Sequence, residues 1–246
     1  MKQIAAVAIL LLALLSGGAA HAIGPLGTLP PKTEELGSLS LSGGYILGET
    51  RLLPKKPDYV PIKARQNHYY VQAAQESFGW EWALRLGMAD FGDGKQFEAG
   101  YRPFGGIGLK GNLAGDRFSE RGLLASFRAD VYTGYRTKGV TVAPGLVADV
   151  HIRDLWDVEG GLIGYQRTGR LTVYGGPFLR YVEAKMYRAT SVPIGTQMTE
   201  DSYYKLKNNL GLAGGVSWAL GDTRLGFEAG ASSGSYSAAF DAAIGF

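Results

Sequence analysis

The chain has no cysteine among its 246 residues. That excludes a disulfide framework and any thiolate-ligated metal. Histidine occurs only three times, without paired spacing, which argues against a zinc site and implies no metal or other cofactor. An excess of one charge is also missing. Lys and Arg number 25 against 22 Asp and Glu, a net charge of +3, which makes no case for a nucleic-acid partner. Charged residues are 19% and hydrophobic residues 46%, with a mean hydropathy of −0.03. That is too apolar for disorder and too polar for a bundle of membrane-spanning helices. No apolar run after residue 15 reaches the length a helical span needs, about 18 residues. Glycine is abundant, at 37 residues, but has no three-residue period, so collagen is excluded. Fragments such as Gly106-Ile107-Gly108 have no helix after them to form a phosphate loop.

The one long apolar run is Ile4 to Leu15. Lys2 precedes it, Ser16-Gly17-Gly18 breaks it, and Ala20-His21-Ala22 fits a small-x-small cleavage site. Residues 1–22 therefore read as a cleaved secretory signal peptide. Residues 23–36 are rich in Pro and Gly, lack periodicity and read as a flexible periplasmic N-terminal extension.

From Gly37 onward, segment after segment alternates apolar and polar residues with period two, the mark of strands with two unlike faces. The segments are 37–50, 65–76, 79–90, 96–112, 121–136, 146–166, 171–187, 205–219, 223–232 and 236–246. In the sixth, Leu146 through Trp156 and Val158 oppose Asp149, His151, Arg153, Asp157 and Glu159 without a break. In the seventh the phase slips near Val182, where Glu183 and Lys185 take the apolar parity, so a bulge is expected there. Residues 51–64 and 188–204 read as long loops at the end opposite the short turns 77–78, 167–170 and 220–222. Every segment is long enough to cross an apolar band about 25 Å high at a tilt of about 40°.

One face carries a charge network of both signs: Glu81, Arg85, Glu98, Arg102, Arg128, Asp130, Asp149, Arg153, Asp157, Glu159, Arg180, Arg224, Glu228 and Asp241. The other face carries aromatics near its ends, with Trp80, Trp82, Trp156, Trp218 and Tyr236 as a candidate interfacial belt. In hydrocarbon every backbone polar group must be paired, so such a sheet must close. The pattern predicts an all-β, transmembrane, antiparallel up-and-down β-barrel over 37–246. Ten strands are expected, within a range of eight to twelve, with the charges in the lumen.

The last strand, YSAAFDAAIGF, places Phe240, Ala242, Ile244 and the terminal Phe246 on one face. This resembles the C-terminal assembly signal of Gram-negative outer-membrane β-barrel proteins, and the general look is similar to small barrels of the opacity-protein or OmpA-domain kind. The resemblance implies outer-membrane localisation, recognition by the barrel-assembly machinery, and contact with the lipid bilayer and lipopolysaccharide. It leaves the task open. A lumen with charges of both signs reads first as a structural ion-pair plug, which points to a structural or surface-interaction role and not to an enzyme. A narrow, porin-like channel lined by the same charges is the alternative. Asp149 and His151 form an Asp-x-His pair that resembles half the catalytic site of omptin proteases, though Asp90 and Asp93 do not match that family's acidic pair. Arg51, Lys55, Lys56 and Lys63 make the first long loop basic, which suits lipopolysaccharide phosphates as well as plain solvation.

Overall fold

A computed structural model of the chain describes residues 39–55, 61–77, 80–92, 97–115, 120–143, 146–191, 197–206 and 210–245. The expected signal peptide, the N-terminal extension, Lys56, Asp93 and Phe246 lie outside them. The described chain is a single antiparallel sheet of twelve strands: β1 (Leu39–Pro54), β2 (Ile62–Ser77), β3 (Trp80–Gly92), β4 (Glu98–Ala114), β5 (Arg121–Tyr132), β6 (Tyr135–Ala143), β7 (Leu146–Thr168), β8 (Leu171–Ser191), β9 (Gln197–Leu206), β10 (Leu210–Leu220), β11 (Thr223–Ser232) and β12 (Ser235–Gly245). The sheet closes on itself. β1 pairs with β12 from Ser40↔Gly245 to Thr50↔Ser235, so the first and last strands seal the ring.

Twelve strands differ from the expected ten, and the pairing explains how. β5 and β6 both pair with β7, at Leu155–Gln166 and Leu146–Ile152 respectively, so they are successive pieces of one path. β9 and β10 both pair with β8 in the same way, on either side of residues 207–209. The ring is therefore crossed by ten paths, two of them interrupted. The β11–β12 hairpin turns at Ser233-Gly234, where Arg51 N donates to Gly234 O at 2.7 Å. Above that tip, β9 takes its place against β1, with Leu52↔Leu206 and Pro54↔Tyr204. Two paths drop out there and the barrel narrows. Most of the segments expected as long loops, 51–64 and 188–204, are strand: β1 and β2 continue into the first, β8 and β9 into the second. At the end where β1 begins and β12 finishes, Gly169-Arg170 and Gly221-Asp222 make two-residue turns, with φ of +59° and +63° at the glycines.

The outer wall is apolar around its middle. Val71, Trp82, Leu84, Leu86, Ile107, Leu162, Val173, Leu179, Leu212 and Trp218 all point outward and are exposed. A wall of that kind is stable only against lipid. The belt residues Trp80, Trp82, Trp156, Trp218 and Tyr236 are all exposed on it. Phe240 and Ile244 keep the outward parity, opposite Tyr45 and Leu41.

Toward the far end of the barrel the preference inverts. There the outside is water, so apolar residues belong inside. β7 solves this with its backbone. Asp154 has φ of +50° and the register with β8 shifts between Arg153 and Trp156. This bulge puts Trp156 outside and Asp157 and Glu159 inside, while Val150 and Ile152, on the parity of Trp156, are buried inside. β8 solves it with sequence. Its backbone parity is unbroken, Val182 and Ala184 stay buried, and Glu183 and Lys185 stay on the outer face. The expected bulge therefore sits on β7 and not at Val182.

Three expected lumen charges are misplaced for the same reason. Asp149 and Arg153 lie above the bulge, on the outer face. Glu98 is exposed, on the outward parity of Gly92, whereas Arg102, below the register shift between Ala89 and Phe91, keeps the inward parity of Ala89 and Phe104 and is exposed. Phe97, Ala99 and Tyr135, on the apolar parity of segments 96–112 and 121–136, are buried inside.

Candidate functional site: a charged lumen under an aromatic lid

The lumen is crossed by two charged layers. In the upper one, Arg85 (β3), Arg128 (β5) and Arg180 (β8) face Asp130 (β5), Asp157 and Glu159 (β7). All six are buried, so each charge must find its compensation inside the barrel. Arg180 grips Asp157 with both ends of its fork: Nε donates to Oδ1 at 2.9 Å and Nη2 to Oδ2 at 2.8 Å. Its Nη1 donates to Thr50 Oγ1 on β1 at 3.4 Å, across the ring. Arg128 lies 3.2 Å from Asp130, 3.4 Å from Asp157 and 3.8 Å from Glu159. Arg85 lies 3.6 Å from Asp130, donates to Gln72 Oε1 from Nε and Nη2, and stands 4.5 Å over the Tyr70 ring. The layer ties β1, β2, β3, β5, β7 and β8 together.

The lower layer joins β3, β4, β8, β11 and β12. Lys110 bridges Glu81 at 2.8 Å, and the Tyr174 hydroxyl donates to Glu228 at 3.0 Å. Asp241 is buried, and Arg224 shares the inward parity of Glu228 on β11. Gln72, Glu81, Arg85, Lys110, Ser126 and Arg128 line a cavity of about 30 Å³, room for one or two waters. Glycines make the space these acids need. A Cβ at Gly106 would stand 1.8 Å from Asp130 Oδ1, and one at Gly226 2.1 Å from Asp241 Oδ1.

Above the charges sits an apolar lid. Phe104 stacks on Tyr132 at 5.2 Å, and the His68 ring lies 5.4 Å from each. Higher still, Phe91 packs on Phe97 at 5.9 Å and on Tyr135 at 5.6 Å. Leu52, Ile152, Leu155, Val182 and Leu206 complete this cluster. A barrel narrowed to this extent has little interior beyond what its own side chains fill.

The Asp-x-His pair takes no part in the lumen. Asp149 pairs with Arg136 at 3.4 Å, and His151 Nδ1 accepts from Arg153 Nε at 3.3 Å, all on the outer face above the bulge. The Arg153 and Arg136 guanidiniums and partial burial lower the His151 pKa, burial contributing most. Asp90 accepts from the Asn67 backbone N–H and Nδ2 on the outer face. An omptin-like arrangement would need its catalytic groups gathered at the mouth, and here they point away from it. Among the described residues no group of three His, Cys, Asp or Glu side chains is placed to hold a metal.

The basic first loop also dissolves into strand ends. Lys63 and Arg65 both pair with Glu49, at 3.3 and 3.2 Å, and Arg51 is exposed on the same outer face. Lys55 reaches Glu183 on β8 at 3.4 Å instead. Sequence reasoning missed the lid and the buried Thr50, and it left Gln72 and Lys110, both on the polar parity of their segments, out of the charge network. The only available signal was their parity with Arg85 and Glu81, which alternation alone cannot rank.

The closed ring, apolar outer wall and charged interior define a transmembrane β-barrel of the outer-membrane class. No protein-family profile and no curated protein sequence matches the chain. Solved structures similar to it are Gram-negative outer-membrane barrels. The translocator domain of the autotransporter NalP from Neisseria meningitidis is 14% identical over 85% of this chain and 88% of its own, with a TM-score of 0.45. The outer-membrane protease OmpT from Escherichia coli is 11% identical over 88% of this chain and 100% of its own, with a TM-score of 0.48. OprG from Pseudomonas aeruginosa is 9% identical over 86% and 98%, with a TM-score of 0.42. The chain is a small transmembrane β-barrel protein.

Proposed function

We propose that this protein is a non-conducting outer-membrane barrel that acts at the cell surface through the part of its wall that stands above the bilayer. The observation that carries this reading is the doubly closed lumen: six buried charges in one layer, with the lid of Phe91, Phe104, Tyr132 and Tyr135 above them. A through-path would have to break buried ion pairs and part packed rings at once. The strands that rise beyond the apolar band then serve as display. Refolded protein, its folding checked by heat-modifiable gel migration, is expected to give no discrete conductance steps in planar bilayers. Reproducible steps of fixed size would overturn the reading.

A narrow water or ion path is the second reading, and one observation favours it. Gln66 Nε2, both His68 ring nitrogens and the Tyr132 and Tyr135 hydroxyls are buried without a hydrogen-bond partner. Groups of that kind are ordinarily satisfied by internal water. The same conductance measurement separates the two readings.

A further inference from the structure

The register shift between β3 and β4 shapes the outer wall at one point. Ala89 pairs with Arg102 and Phe91 with Ala99, so Gly100 and Tyr101 together oppose the single residue Asp90. This is a β-bulge on β4. Alternation from the buried Ala99 turns Gly100 outward, and alternation from Arg102, on the inward parity, turns Tyr101 outward beside it. Asp90, between the buried Ala89 and Phe91, faces the same way.

The Asp90 carboxylate is half-buried and held in place. Its Oδ1 accepts from the Asn67 backbone N–H at 2.5 Å and its Oδ2 from Asn67 Nδ2 at 2.6 Å. The Tyr45 hydroxyl donates to Asn67 Oδ1 at 2.5 Å and so fixes the amide. Among the described residues no cation pairs with Asp90, and Glu98, which acts on it, carries the same sign. Rings stand beside it. The Tyr69 ring centre lies 4.7 Å from that of Tyr45 and 5.6 Å from that of Tyr101, tilted by 40° and 53°. The hydroxyls of Tyr69 and Tyr101 are hydrogen-bonded to each other. Gly100 leaves the approach open: a Cβ there would meet nothing within 4 Å beyond its chain neighbours. The row lies one step above Val71 and Leu86 of the apolar band, and Tyr101 is exposed.

A belt of interfacial tyrosines needs no carboxylate in its midst. Partly burying one costs free energy that the two bonds from Asn67 offset only in part, and a cation brought against it offsets the rest. Tyrosine faces attract the same cation. An organic ammonium ion answers both, with charge for the carboxylate and alkyl groups for the rings, which a bare metal ion lacks. We infer that Asp90, Tyr45, Tyr69 and Tyr101 form a binding site for a soluble organic ammonium ion, entered over Gly100. Asp90 supplies the charge, Asn67 aims it, and the rings take the alkyl groups. The inference goes beyond the closed-lumen reading and does not depend on it.

The test titrates the refolded full-length barrel, in maltoside micelles, with choline and with its neutral isostere 3,3-dimethylbutan-1-ol. Binding is followed by the NMR shifts of the Asn67 and Gly100 amides. Choline should saturate both and bind at least about tenfold tighter than the alcohol, a factor within reach of one desolvated cation–ring contact. Asp90→Asn should lose that preference, and Gly100→Leu, which fills the approach without changing charge, should lose binding. Asp154→Asn removes an exposed carboxylate at the β7 bulge and should leave both unchanged. No saturable shift, equal affinity for choline and the alcohol, or an Asp154→Asn that loses the preference as fully as Asp90→Asn would overturn the inference. Displacement of choline by equimolar sodium or calcium would make this a simple metal-ion site. Binding of dodecylphosphocholine added to the micelles, without binding of free choline, would make it a headgroup site. Either result refutes a site for a soluble ammonium ion. If Asp90→Asn does not fold, Gly100→Leu and the wild-type comparison of choline with the alcohol decide, and a Gly100→Leu barrel that binds choline as wild type does refutes the site.

Discussion

Replacing Arg180 by methionine tests whether the upper charge layer holds the barrel together. The guanidinium is buried, makes the 2.9 and 2.8 Å bonds to Asp157, and reaches Thr50 on the far wall. Without it, Arg85 and Arg128 remain against Asp130, Asp157 and Glu159, so one buried carboxylate is uncompensated. Asp157 keeps only the 3.4 Å contact to Arg128. Breaking a buried pair by removing one partner costs about 3–5 kcal/mol, and methionine fills most of the vacated volume, so the cavity contribution is small. The companion variant Arg180→Met/Asp157→Leu restores the balance, two cations against two carboxylates, and should cost less than about 1 kcal/mol, because an apolar pair of similar size replaces a buried ion pair at little net loss. The assay is reversible urea unfolding in lipid vesicles, followed by the fluorescence of the four tryptophans and approached from both directions. A single variant that costs under about 1 kcal/mol, or a double variant no more stable than the single, would refute the structural role of the network.

Other perturbations follow from the same geometry. Gly106→Ala should cost about 1–3 kcal/mol in the same unfolding assay, since its Cβ would meet Asp130 Oδ1 at 1.8 Å and the Ala129 carbonyl at 2.8 Å, whereas Gly100→Ala, with nothing within 4 Å, should stay within about 0.5 kcal/mol. Comparable costs at both sites would mean that strand propensity, and not the seat of Asp130, governs these glycines. Glu183, above the bilayer, has its pKa held below the ordinary 4.5 by the Tyr181 hydrogen bond, with Lys55 and Lys205 adding to it against burial. Its ionised form therefore stabilises the folded barrel above about pH 4.5, and that contribution is lost as pH falls through the lower folded-state value. Wild type and Glu183→Gln should differ in urea midpoint at neutral pH and converge in acid, and a gap that stays constant with pH would show the carboxylate to be irrelevant.

How far the sequence could be read depends on what surrounds each residue. Between the two rims, lipid outside and a packed interior act on every strand alike, so alternation reports orientation directly. That is why Arg85, Arg128, Asp130, Asp157, Glu159, Arg180, Glu228 and Asp241 face inward as their parity requires. Above the band the rule that converts hydropathy into direction reverses, and the sequence does not mark where. Asp157 and Arg153 share a parity yet lie on opposite sides of the wall, because one residue, Asp154, adopts a left-handed backbone between them. Val182 shows the converse: the pattern changes while the backbone runs on.

By itself, then, the chain determined a closed antiparallel barrel, its lipid-facing wall and the charged character of its interior, because each follows from two-residue periodicity in a medium that forbids unpaired backbone. Only the tertiary structure decided which charges meet. Arg180 finds Asp157 through the β7–β8 register, and Thr50 finds Arg180 through closure of the ring. Lys55 comes to Tyr203 because β9 passes over the β11–β12 tip to reach β1. Those contacts join positions far apart in the chain, and their distances are set by register and barrel closure, which no local pattern of residues encodes.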